Sequence, residues 1–213
     1  MKIYLIDINP AMIEAWNYYF GDLPAADIEI ARTDFKTFMD SHPTIGYVVS
    51  PANSYGDMSG GYDLAIRDYF DYLCRVDTGR PFQEVVRRAV KLNGNYIVPG
   101  SCFPIYVSKS TCDLLLCPTM RRPSPVEDWA VVYECMLSAL GCWYGFEYMD
   151  PKGDTPDIVI PAFGALTGEV PPMIVARNMR LAYDRATRKQ ESNVWRHADN
   201  IDADLRKARS RDL

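Results

Sequence analysis

The chain has 213 residues, of which 48% are hydrophobic and 24% are charged, and its formal net charge is −5. These values predict one globular domain, and the negative charge argues against general binding to nucleic acid or anionic membranes, because no broad positive field exists. No run reaches the ~20 apolar residues of a membrane span and the amino terminus lacks a signal-peptide layout, so a cytoplasmic location without membrane contact is expected.

Short apolar runs alternate with helical patterns along the chain, which predicts an α/β fold with a layered sheet. The six expected strands lie at residues 3–6, 28–31, 47–50, 96–98, 114–117 and 158–160. A polar turn containing Pro and Gly is expected at 149–156, before the last strand.

Amphipathic stripes predict the helices between the strands. One helix should bury Ile66 and Phe70, and another should run through 82–90. A third is expected to start at a capping box formed by Ser124 and Glu127, and to stop at Gly141.

Six cysteines occur without any C-x-x-C pair, and the only histidines, His42 and His197, are far apart. This spacing does not fit a zinc site. We therefore expect buried reduced thiols, no bound metal and no cofactor.

The stretch 46–66, GYVVSPANSYGDMSGGYDLAI, carries the most chemical information in the chain. Pro51 should end a buried strand abruptly, and a crevice is expected at that end of the sheet. Gly60 and Gly61 allow backbone amides to approach a ligand closely. Asn53 and Asp63 should then face the same pocket.

Asn53, Gly60, Gly61 and Asp63, placed between a strand and a helix, resemble the first ligand loop of macro domains. The runs 118–128 (PTMRRPSPVED) and 160–172 (IPAFGALTGEVPP) resemble segments of the phage-encoded macro-like branch. The resemblance spans most of residues 28–184. It implies a three-layer α/β/α macro-like domain over 1–184 with a mixed, mostly parallel six-stranded sheet, and leaves 185–213 as a charged C-terminal tail or surface helix.

The second family loop reads approximately G-T-G-x-G-G and wraps the diphosphate of ADP-ribose. Gly164 and Gly168 match that pattern, whereas Ala165, Leu166 and Glu169 depart from it. The departures imply either an altered ligand or weak or lost binding. A helix expected to open near Pro171 or Pro172 should add amides and its dipole to an anion seat.

By the same resemblance, Asp34 and the Phe35 amide would contact adenine, with Asp7 at the end of the first strand as the alternative carboxylate. Asn53 would orient the distal ribose, and Asp63 would activate water. The alternatives are purely structural roles: a helix N-cap for Asp34, a side-chain turn for Asn53 and a favourable charge at the helix dipole for Asp63. Phe163 either stacks on a base or is a core residue. The complete predicted ligand-binding set is Asp34, Phe35, Asn53, Ser54, Gly60, Gly61, Tyr62, Phe163, Gly164, Ala165, Leu166, Thr167 and Gly168, with Asn53 and Asp63 as the catalytic pair.

The function implied by the resemblance is binding of ADP-ribose or a related nucleotide, or of an ADP-ribosylated protein. Catalysis is left open, and would make the chain an ADP-ribosyl hydrolase or an ADP-ribose-phosphate phosphatase. One alternative is a degenerate macro-fold interaction protein without nucleotide binding. Another is a phage factor that sequesters a nucleotide signal in the host cytoplasm. The sequence does not indicate an oligomeric state.

Overall fold

A computed structural model describes residues 1–149, 156–188 and 194–212. Its elements in chain order are β1 (Ile3–Asp7), α1 (Pro10–Phe20), β2 (Ile28–Arg32), α2 (Phe35–Ser41), β3 (Tyr47–Ser50), α3 (Gly61–Thr78), α4 (Phe82–Leu92), β4 (Phe103–Ile105), β5 (Asp113–Leu116), α5 (Ala130–Met149), β6 (Ile158–Pro161), α6 (Pro172–Thr187) and α7 (Val194–Arg209). Most of the turn predicted at 149–156 lies outside the described residues.

The strands form one six-stranded sheet in the order β2-β1-β6-β3-β5-β4. All neighbouring pairs are parallel except β4 with β5, which is antiparallel. The predicted mixed, mostly parallel sheet is therefore confirmed. Because these parallel strands point the same way, the loops that follow β1, β3 and β6 all leave from the carboxyl ends of the strands, on one side of the sheet.

Helices cover both faces of the sheet, and alternate strand residues supply the two cores. Val49 and Ile160 belong to the core under α1, α5 and α6, whereas Val48 and Val159 belong to the core under α2, α3 and α4. This arrangement is the predicted three-layer α/β/α architecture. Among the described helices, none is both long and apolar enough to cross a membrane.

The predicted start and end of the third helix were wrong. The helix α5 begins at Ala130, whose amide donates to Asp128 Oδ1 at 3.0 Å, so Asp128 acts as the cap. Ser124 Oγ instead donates to the Arg122 carbonyl, within a run of bends that precedes the helix. Gly141 lies inside α5, because the apolar helix continues to pack against the sheet and α6.

The strand predicted at 96–98 was also wrong, because the fourth strand is β4. The Ile97 amide donates to the Ser54 carbonyl at 3.0 Å, so this segment packs on the loop after β3 instead of joining the sheet. Pro104 in β4 lies on an edge strand, where a missing backbone donor is tolerated.

The carboxyl-terminal segment forms α7, which packs on α5 and α6. Asp204 and Ala208 of α7 are buried. The Asp204 carboxylate pairs with Arg185 of α6 at 2.7 Å and accepts from the Tyr133 hydroxyl of α5 at 3.3 Å. In the described residues the tail is therefore a helix docked on the same core.

Candidate functional site

Two loops define the candidate site, and they leave neighbouring parallel strands. Loop 1 (residues 51–60) follows β3, and loop 2 (residues 162–171) follows β6, which pairs with β3. A Cβ built on Gly61, at the end of loop 1, would lie 3.7 Å from Leu166 Cδ2 in loop 2. The two predicted ligand loops therefore converge at one edge of the sheet.

Asn53 organises loop 1 through its side chain. Its Oδ1 accepts from the amides of Tyr55 at 3.1 Å and Asp57 at 3.3 Å, and its Nδ2 donates to the Asp57 carbonyl at 2.8 Å. The predicted side-chain turn is present. One hydrogen of the Nδ2 amide is not used by these bonds, so the ligand role of Asn53 stays a prediction.

Loop 1 is also held from outside by α4 and by the segment after β5. Gln83 of α4 donates to the Gly56 carbonyl at 2.7 Å and accepts from the Met58 amide at 2.7 Å. The Ser54 amide donates to the Met120 carbonyl at 3.0 Å. Ser54 is fully buried, so it anchors the loop and does not face the opening.

Asp63 lies in the first turn of α3 with its carboxylate largely removed from water. Ser50 Oγ, at the end of β3, donates to Asp63 Oδ1 at 2.6 Å. Burial raises the pKa of Asp63 to about 7, although the Ser50 bond opposes the rise. A carboxylate with this pKa can exchange a proton near neutral pH, as a general base must.

The amino terminus of α3 presents free amides to the cleft. Gly60 is the N-cap, and the first backbone bond into the helix runs from the Leu64 amide to the Gly60 carbonyl. The amides of Gly61, Tyr62 and Asp63 therefore have no helical acceptor, and the helix dipole adds positive potential there.

Loop 2 is a tight turn closed by its own backbone. The Val170 amide donates to the Gly164 carbonyl at 3.1 Å, and a Cβ on Gly168 would meet that same carbonyl oxygen at 2.5 Å. Gly164 has a φ of 68°. Both glycines shared with the family pattern are thus required by the geometry of this turn.

Glu169 occupies the position where the family pattern has its last glycine, and it adopts a φ of 55°. This left-handed conformation is strained for a residue with a Cβ. The side chain is exposed, so the carboxylate lies in solvent and not within the turn.

The amides of residues 165–168 make no hydrogen bond within the described part of the chain. These consecutive donors suit an anion. The helix α6 adds less than predicted, because Pro171 and Pro172 at its start have no N–H group and Pro171 O accepts the amides of Ile174 and Val175. An anion seat here depends on the loop, not on the helix start.

The side chains of loop 2 differ in burial, and this decides between the roles predicted for them. Phe163 is fully buried in the core, which is its predicted alternative, so its ring offers no face for stacking. Leu166 is 76% exposed, but its Cδ2 lies 3.7 Å from the position of a Cβ on Gly61, so the side chain extends between the two loops at their mouth. Thr167 is exposed, and Ala165 packs partly against the core.

The predicted adenine contacts lie at the end of β2, which is separated from β6 by β1. Asp34 is the N-cap of α2, with Oδ1 accepting from the Thr37 amide at 3.0 Å. These bonds lower the pKa of Asp34. Phe35 is buried against Tyr62 and Phe70, so only its backbone is placed to meet a ligand.

No group of three or more potential metal ligands occurs among the described residues. A cavity of about 760 Å³ lies at the opposite edge of the sheet, near the starts of β3 and β5, and is lined by Tyr47, Tyr69 and Asp113. It shares no residue with the two loops, so we place the candidate site by chemistry and not by cavity size.

Three residues that position the site were not identified from sequence. Ser50 is the one polar residue of the buried strand β3, and that break in an apolar run was a usable signal. Gln83 and Thr119 contact loop 1 only through tertiary packing. The Thr119 amide donates to the Ala52 carbonyl at 3.1 Å.

Comparison with known proteins identifies the fold. No family model matches the chain. The macrodomain of Mycobacterium tuberculosis DarG superimposes with a TM-score of 0.51 at 14% identity, covering 67% of this chain and 83% of that one. An Oceanobacillus iheyensis macrodomain variant with ADPR gives 0.51 at 14% identity, covering 77% and 86%, and the same macrodomain with MES bound gives 0.50 at 13%, covering 77% and 87%.

The chain has a macrodomain fold. The similarity at this identity concerns the fold alone, so the predicted closeness to the phage-encoded branch and the predicted roles of individual residues stay predictions.

Proposed function

We propose that the cleft between loop 1 and loop 2 binds ADP-ribose or a related nucleotide carrying a diphosphate and a ribose. The observation that carries this proposal is the convergence of two sets of unbonded amides, from Gly61 to Asp63 and from 165 to 168. Such donors favour phosphate oxygens. One structural neighbour is an Oceanobacillus iheyensis macrodomain variant with ADPR, which supports this ligand class.

Turnover is the further step of the proposal. Asp63 would take a proton from a water beside the ribose, and Ser50 would hold the carboxylate in place. A pKa of about 7 keeps a substantial ionised fraction at neutral pH. The substrate would be an ADP-ribosylated protein or an ADP-ribose phosphate ester. A binder that only sequesters a nucleotide would take up ligand stoichiometrically and release no product.

Calorimetric titration of ADP-ribose, NAD, AMP and cyclic ADP-ribose into the protein tests binding. A matched pair of variants locates the site. A Cβ on Gly60 or Gly141 would meet no atom within 4 Å outside its immediate chain neighbours and, for Gly141, the adjacent helix backbone, so we choose both positions for a Val substitution. Gly60→Val adds bulk in front of the α3 amides, whereas Gly141→Val adds the same bulk on the exposed side of α5.

We expect Gly60→Val to weaken ADP-ribose binding more than about tenfold, or about 1.4 kcal/mol, and Gly141→Val to leave it unchanged. Thermal unfolding of both variants checks that the fold is retained. Equal affinities in the two variants would place the ligand elsewhere. Absence of heat with all four nucleotides would remove the nucleotide proposal.

A protein-interaction role is the second candidate, and the exposed Leu166 favours it. An apolar side chain that is 76% exposed at the mouth of a cleft can contact a partner protein. This candidate gains support if wild type binds no nucleotide while the fold is intact.

A further inference from the structure

The hydroxyl of Tyr62 is buried and has no hydrogen-bond partner within the described residues. The only other such side-chain atoms in the described part are Thr119 Oγ1 and Trp16 Nε1. Native proteins satisfy most buried polar atoms, so each exception requires an explanation. Tyr62 begins α3 beside Gly61, and Thr119 adjoins loop 1, so two of the three exceptions border the candidate site.

The hydroxyl does not contribute to packing. The ring of Tyr62 packs edge-on against Phe35 with centroids 5.3 Å apart, and a phenylalanine would make the same contact. A buried donor without an acceptor destabilises the folded state relative to that phenylalanine. The hydroxyl therefore opposes folding, which is a common feature of groups that are reserved for a ligand.

The charges of two carboxylates act on the Tyr62 hydroxyl. Burial raises the pKa of Tyr62 well above its ordinary value, and the charges of Asp63 and Asp7 raise it further, so the phenol stays protonated. Each carboxylate already has a donor of its own. Ser50 Oγ donates to Asp63 at 2.6 Å, and the Asn9 amide donates to Asp7 at 2.8 Å.

This environment selects among the parts of a nucleotide. A phosphate carries negative charge and offers only acceptors, so Asp7 and Asp63 repel it. A sugar hydroxyl is neutral, and it can accept from Tyr62 while donating to a carboxylate. The phosphates would then lie on the loop amides, and a sugar would lie over Tyr62.

We propose that the Tyr62 hydroxyl donates a hydrogen bond to a hydroxyl of the ligand's ribose, and so makes the site selective for a free sugar next to the diphosphate. This inference rests on the proposed function. Tyr62 as a residue is only partly buried, although its hydroxyl is buried, and it directly follows Gly60 and Gly61, whose backbone borders the cleft.

The test compares Tyr62→Phe with Tyr133→Phe. The Tyr133 hydroxyl is bonded to Asp204 at 3.3 Å, on the α5 side of the sheet. Each variant is titrated with ADP-ribose and with ADP, which lacks the second ribose, and each is unfolded thermally without ligand.

For Tyr62→Phe we expect an unfolding midpoint equal to wild type or higher by about 2–4 °C, and an ADP-ribose affinity about tenfold weaker with ADP affinity unchanged. For Tyr133→Phe we expect the reverse, with a lower midpoint and unchanged affinities. This opposite behaviour would support the reserved role of the Tyr62 hydroxyl.

Two binding results overturn the inference while leaving the proposed function standing. One is wild-type affinity of Tyr62→Phe for ADP-ribose, and the other is an equal loss for ADP and ADP-ribose. A lower midpoint for Tyr62→Phe would also overturn it, because the hydroxyl would then have a structural partner. If wild type binds neither nucleotide, the proposed function itself fails, and the inference fails with it.

Discussion

Loop 1 and loop 2 face each other across the cleft, but side chains hold the first and backbone holds the second. Loop 1 is fixed by Asn53 from within and by Gln83 from α4. Loop 2 is closed by backbone bonds around Gly164, and it exposes Leu166 and Thr167. The difference indicates a loop held firmly beside Asp63, opposite a loop whose amides remain available to an anion.

The largest predicted effect on the free energy of unfolding comes from the carboxylate of Asp63, which is buried next to loop 1. The folded-state pKa of Asp63 is about 7, against 3.8 ordinarily, so the folded state holds its proton more tightly than the unfolded state. The free energy of unfolding should therefore fall as the pH rises from about 4 to about 7.

Asp63→Asn removes that dependence. At pH 8 we expect it to be more stable than wild type by up to about 4 kcal/mol, at about 1.4 kcal/mol per pKa unit, and at pH 3.5 we expect no difference. Urea unfolding at the two pH values measures both. A constant difference across this range would contradict the buried-charge explanation.

Asn53→Ala should have the next largest effect, because it removes three hydrogen bonds that shape loop 1. We expect a loss of about 2–3 kcal/mol in the free energy of unfolding. Thr167→Ala in loop 2 is the control and should change it by less than about 0.5 kcal/mol. Equal effects in the two loops would remove the distinction between them.

Glu169→Gly should have the smallest effect and should act in loop 2. The φ of 55° is strained for Glu, so Gly should stabilise the fold by about 1 kcal/mol. ADP-ribose affinity should stay equal or rise, since one exposed negative charge is lost. The control is Glu127→Gly, which removes the same charge outside loop 2. Val170→Ala would not serve as a control, because Val170 is buried. Destabilisation by Glu169→Gly would show that Glu169 has a stabilising contact.

The sequence predicted much of the fold because local patterns and tertiary structure agree there. The β-branched run before Pro51 is strand β3, and the stripe through Ile66 and Phe70 is α3. The pattern failed at Ser124, where a capping box does not start a helix. There the Val126 amide donates to the Gly168 carbonyl. This contact with loop 2 outweighs the local preference of the segment for helix.

The candidate site was only partly predictable for a related reason. Asn53 can close a turn or hold a ligand, and residue type does not distinguish the two. The sequence also gave no sign that Gln83, 30 residues after Asn53, would hold loop 1. Contacts of this kind depend on how α4 lies against β3, which is decided by packing of the whole layer.

By itself the sequence determined the alternation of strands and helices and the glycines of both loops, and it predicted Asn53 and Asp63 as the main polar residues of the site. These follow from periodicity and backbone freedom, which act over a few residues. Only the tertiary structure decided that β6 lies beside β3, that Leu166 approaches Gly61, and that Tyr62 has an unpartnered hydroxyl near two carboxylates. Burial and desolvation arise from neighbours distant in the chain, so no local pattern encodes them.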